Sequence, residues 1–151
     1  MTNPIDAALD DLAEEFELLG EWEERYRYVI ELGKDLEALT DAERSEANKV
    51  RGCASQVWLV TEPQADGTLK FRGDSDAHIV SGLVAIMLRL YSGRAPADIV
   101  AFDAKSALDR LGLSEALSSQ RSNGLKSMVA RIQRDAQAAL GQNVAGKPSL
   151  G

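Results

Sequence analysis

Apolar residues recur at helical spacing from the start of the chain. Ile5, Leu9, Leu12, Phe16 and Leu19 share one face. Asn3-Pro4 ahead of them supplies an N-cap and a proline at the first helical position. Asp6 sits where a carboxylate complements the helix dipole, and Gly20 ends the helix. Trp22, Tyr26, Val29, Ile30, Leu32 and Leu36 predict a second helix over Glu21–Glu37. Thr40-Asp41-Ala42-Glu43 has capping-box spacing and predicts a short helical turn before Asn48.

The period changes at Val57-Trp58-Leu59-Val60, an apolar, β-branched run between Gly52 and Pro63 that predicts a buried strand. Asp66-Gly67 is a favoured hairpin pair. Leu69 and Phe71 then alternate with Thr68, Lys70 and Arg72, a strand with one wet face that Gly73-Asp74-Ser75-Asp76 is expected to stop. Asp76 is the expected cap of a third helix over Ala77–Tyr91, apolar nearly all round and therefore central. Pro96 opens a short helix, and Asp103 caps another that ends at Gly112. Residues 118–124 predict a polar loop, and Leu125, Met128, Val129, Ile132 and Ala136 predict a last helix over Leu125–Leu140. The sum is one α+β domain over residues 1–140, with a small antiparallel sheet of two or three strands packed with several helices. Residues 141–151 hold three glycines and a proline and are expected to form a flexible tail.

Composition narrows the chemistry. A chain of 151 residues is long enough to bury a core without disulfides or a structural metal. It has one cysteine, Cys53, and one histidine, His78, too few for an internal disulfide or a Cys/His zinc site. The net charge of −7 disfavours nonspecific nucleic-acid binding. That charge is unevenly spread. Residues 1–46 carry 15 acidic and 4 basic side chains, whereas residues 47–151 carry 9 and 13. A solvated acidic helical pair accounts for the first stretch, and the second is able to meet an acidic partner. No secretory signal precedes the first helix, and no apolar stretch suffices to span a bilayer. A cytoplasmic protein with a reduced thiol and no membrane partner is expected.

Cys53 lies in a predicted loop after Gly52, with Lys49 and Arg51 close enough in sequence to favour a thiolate. A lone cysteine is ordinarily a small buried hydrophobe, so the loop position is what draws notice. A Cys/His hydrolase would need His78 within reach of Cys53; a capping or surface role is the plainer reading. Asp74 and Asp76 are natural turn residues, and no further metal ligand lies near them. Arg121 sits before the last helix, either as a solvated loop residue or as a contact to an anion or partner.

Three segments together resemble one family. Val50-Arg51-Gly52-Cys53-Ala54-Ser55-Gln56-Val57-Trp58 matches a Gly-Cys-x-Ser-Gln-Val-Trp pattern. Gly73-Asp74-Ser75-Asp76 with the helix after it matches a second, and Ser119-Gln120-Arg121-Ser122-Asn123-Gly124-Leu125 matches a third. In this order they resemble SufE, the sulfur acceptors that work with cysteine desulfurases in iron–sulfur cluster biogenesis. The resemblance implies a fold shared with IscU-type scaffolds. It implies that Cys53 takes sulfur from a desulfurase persulfide, stimulates that desulfurase and passes sulfur to a SufBCD-type scaffold. It also implies no cofactor of the chain's own, the pyridoxal phosphate belonging to the desulfurase. Arg51, Gly52, Gln56, Asp74 and Arg121 become candidate partner or thiolate contacts. The resemblance does not separate a SufS-dependent acceptor from a CsdE-like one serving CsdA. A non-catalytic desulfurase adaptor and a cluster scaffold built by pairing Cys53 across a dimer stay open beside it.

Overall fold

The computed structural model describes residues 3–145; the last six residues of the expected tail lie outside them. Helix α1 spans Pro4–Leu19 and α2 spans Trp22–Lys34. Asn3 caps α1, its side chain accepting from the Ile5 N–H at 3.0 Å. Helix α2 stops three residues before the expected Glu37. The chain leaves the helix at Asp35, and Glu37 instead reaches Lys70 and Arg72 on the hairpin. Thr40 and Glu43 form the reciprocal capping pair, each backbone N–H donating to the other's side chain.

Strands β1 (Val57–Pro63) and β2 (Leu69–Ser75) form an antiparallel hairpin with Leu59 opposite Gly73. Lys49 makes an isolated bridge to Trp58 on β1 and Arg94 one to Leu69 on β2, and neither extends into a third strand among the described residues. The second strand does not stop at Gly73 but runs on to Ser75. At Gly73 a Cβ would meet Val84 Cγ1 at 2.9 Å and Trp58 O at 3.0 Å, so glycine lets the sheet lie close against the central helix.

That central helix is α3, His78–Tyr91. Asp76 does not cap it. The cap position is Ala77, whose N–H donates to Ser75 Oγ at 3.3 Å, while Asp76 is turned back to Gln56. Ile79, Val80, Leu83, Val84, Ile86, Met87 and Leu90 are buried in one core with residues from α1, the hairpin and the later helices. Each such side chain contributes about 1.5–3 kcal/mol when fully removed from water. Helix α2 crosses α3 at backbone contact. A Cβ on Gly82 would sit 2.1 Å from Val29 O, and one on Gly33 2.6 Å from Gly82 N.

Helices α4 (Pro96–Ala101) and α5 (Ala104–Arg110) follow, with Asp103 capping α5 through the Ser106 N–H. A single turn, α6 (Leu113–Ala116), is one element the sequence pattern does not predict. Helix α7 runs Ser119–Ala145, longer than predicted at both ends. The expected loop before it is helix. Ser118 Oγ accepts from the Arg121 N–H at 3.3 Å, and this cap together with packing of Gly124 against Cys53 offsets the weak helix propensity of Ser119, Ser122, Asn123 and Gly124. At the other end Gly141 continues the helix rather than opening the tail. Thr61 Oγ1 donates to Asp135 Oδ2 at 2.7 Å and pins α7 to β1.

Candidate functional site

Cys53 lies between the Lys49 bridge and the start of β1. Gly52 before it has φ +88°, a conformation side chains resist, and a Cβ there would lie 2.5 Å from Ser127 Oγ of α7. Glycine thus lets the loop press onto α7 and turn Cys53 inward. The thiol is half-buried, and Sγ donates to the Gly124 carbonyl at 3.5 Å. Gly124 itself is close, with room for a Cβ 3.6 Å from Sγ.

The thiol opens onto a cavity of about 160 Å³. Val80 and Leu83 of α3 and Met128 of α7 give it an apolar wall, while Ser55, Gln120 and Arg121 add polar groups. Burial pushes the Cys53 pKa above its ordinary value. The expectation that Lys49 and Arg51 hold a thiolate is not met in this conformation. Both turn to Glu46, Lys49 at 4.0 Å and Arg51 at 3.4 Å, and Arg51 is 77% exposed.

Cys53 and Arg121 therefore share one cavity, and Gly52 shapes its approach. Gln56 and Asp74 do not line it. Gln56 donates from its backbone N–H to Asp76 Oδ1 at 3.0 Å and accepts at its carbonyl from Ser75 Oγ at 2.7 Å. Asp74 accepts from Arg44 at 3.1 Å and from Ser81 Oγ at 3.1 Å. These bonds tie the entry of β1 to the exit of β2 and to α3. His78 is exposed at the first position of α3 and does not line the cavity. Among the described residues, no three His, Cys, Asp or Glu side chains are grouped to share a metal ion.

Sequence reasoning does not single out Gly124, Gln120 or Met128 as site residues. Gly124 and Gln120 stand there in the predicted polar loop and in the third family motif, but with no site role; that of Gly124 depends on α7 starting early enough to carry it beside Cys53.

A small α+β domain holding a single shielded thiol over a mixed apolar and cationic cavity is the class defined here. Residues 10–136 match the SufE family, described as an Fe-S metabolism associated domain. An uncharacterized SufE-like protein of Rhizobium etli is 55% identical over 134 residues, covering 87% of this chain and 90% of its own. One from Rhizobium meliloti is 52% identical over 136 residues, covering 88% and 97%. The solution structure of a hypothetical protein from Thermus thermophilus shares the fold, with a TM-score of 0.74 at 19% identity, covering 93% of this chain and 99% of that one. The chain belongs to the SufE family. Its family ties it to iron–sulfur metabolism and supports a sulfur-transfer role there. Among the described residues, no helix is long and apolar enough to cross a membrane.

Proposed function

We propose that Cys53 is a persulfide carrier. It accepts sulfane sulfur from a PLP-dependent cysteine desulfurase, stimulates that enzyme, and hands the sulfur to an iron–sulfur scaffold of the SufBCD type in the cytoplasm. The observation that carries this reading is the placement of Cys53, the chain's one thiol, half-buried against Gly124 and facing the cavity lined by Arg121.

The Cys53 thiolate attacks the outer sulfur of the donor's persulfide. A new S–S bond forms on Cys53, the donor's S–S bond breaks, and the donor cysteine leaves as a thiolate that takes up the proton Cys53 gave up. Two electrons move with the bond, so no external oxidant is needed. The pyridoxal phosphate that frees sulfur from cysteine resides on the donor. Here the chain's own residues have three tasks. Val80, Leu83 and Met128 slow the access of bulk reductant to the bound sulfur, Arg121 faces the anionic terminal sulfur, and the Gly52 turn lets the loop swing out to the donor.

The distinguishing experiment is desulfurase turnover on L-cysteine with a reductant present. Wild-type protein raises turnover, and Cys53→Ala does not. Undiminished stimulation by Cys53→Ala would convert the carrier into an adaptor and overturn the proposal.

A further inference from the structure

A second groove begins where the cysteine cavity ends. Along α7, Gly124 meets Cys53, Ser127 meets Gly52, and the next residues on that side, Arg131 and Arg134, face the segment Glu46–Arg51. Between them lies a cleft of about 500 Å³ bearing Lys49, Arg51, Arg131 and Arg134. Glu46 is the one carboxylate among its lining residues, and Asp135 behind it holds Arg131 at 3.1 Å and Arg134 at 3.7 Å. Four cations against two carboxylates make this a positive face on a chain whose net charge is −7. Arg51 and Arg134 project outward, 77% and 72% exposed. Arg131 is held inside, also donating to Leu59 O at 3.5 Å.

We propose that this groove docks an acidic segment of the sulfur-donor protein. In the free protein Glu46 occupies the place of the incoming carboxylates, paired to both Lys49 and Arg51. These contacts link the two ends of the segment that leads directly into Gly52-Cys53. Carboxylates from the partner exchange with Glu46 at the same cations. Exposed pairs are individually weak and screened by salt, which makes the exchange reversible. The identity of the partner rests on the carrier reading; the chemistry of the groove does not.

Two measurements test this. In the first, a hexaglutamate peptide is titrated into the full chain and followed by amide chemical shifts. Shifts gathered on residues 46–53 and 127–134 are expected; shifts scattered over the surface, or none, would overturn the groove. The second compares affinity for a cysteine desulfurase at low and high salt. Arg51→Glu/Arg134→Glu, both at exposed positions, lowers affinity on the order of tenfold at low salt and flattens the salt dependence. Lys105→Glu/Lys126→Glu, an equal charge change beside a different cavity, is the control. Equal loss in both variants, or wild-type binding by the first, would overturn the proposal. Cys53→Ser binds hexaglutamate as wild type does, so failure of the carrier reading and failure of the groove register in different experiments.

Discussion

At the scale of single residues, burial rather than a neighbouring cation sets the chemistry of Cys53. Its folded pKa is raised, so the thiol keeps its proton at neutral pH and the free protein is a slow nucleophile. Alkylation by iodoacetamide should be slower in the native chain than in urea, with a rate-versus-pH midpoint shifted upward. Equal rates and midpoints would remove the shielding from the account. The sign for stability follows from the same shift. The folded state holds the proton longer, so the thiol's stabilising share is complete below the unfolded pKa and is lost as pH rises through the folded one. Gly52 is the companion residue. Gly52→Ala imposes a left-handed φ costing about 1–2 kcal/mol and drives a Cβ against Ser127. Its expected outcome is a lower Tm with faster Cys53 alkylation, because the loop is pushed off α7.

At the scale of elements, the α2–α3 crossing is the most constrained contact. Gly82 approaches Val29 O so closely that Gly82→Ala must separate the two helices; about 3 kcal/mol and a Tm drop of about 10 °C are expected in thermal melts. Both glycines stand in the sequence inside predicted helices, but one chain alone does not reveal that Gly33 and Gly82 face each other. The start of α7 is illegible in the sequence for a different reason. Ser119 to Gly124 has loop-like propensity, and only the Ser118 cap and packing against Cys53 make it helical. Helix α1 is readable in extent and in buried face from its apolar spacing, and α3 in extent and central position from being apolar nearly all round, because those patterns are what the core uses.

At the scale of the whole molecule, charge organises what the core leaves open. Arg72 gathers Glu37, Glu43 and Glu62, joining the segment after α2 to the hairpin. Its guanidinium holds the Glu43 carboxyl down to about 2. A depressed carboxylate stabilises the fold above its unfolded pKa and loses that share as pH falls toward about 2. Glu43→Gln should therefore lower Tm at neutral pH and flatten the fall in Tm across that acid range; an unchanged acid profile would count against the network. The acidic bias of residues 1–46 is partly absorbed in this way, by Glu15 on Arg89 and Asp10 on Arg110 as well as by Glu43. That bias is plain in the sequence, but not which carboxylates face cations far along the chain. Likewise Cys53 and Arg121 are legible as candidates, whereas their shared cavity depends on a contact between residues 71 positions apart, from Cys53 to Gly124.

The central claim is that Cys53 carries sulfur. Its most direct test is intact-protein mass spectrometry after incubation with a cysteine desulfurase and L-cysteine, without reductant. Wild-type protein should gain sulfur that is released by a reducing agent, and Cys53→Ser should gain none. Sulfur that persists on Cys53→Ser, or its absence from the wild type, would contradict the account.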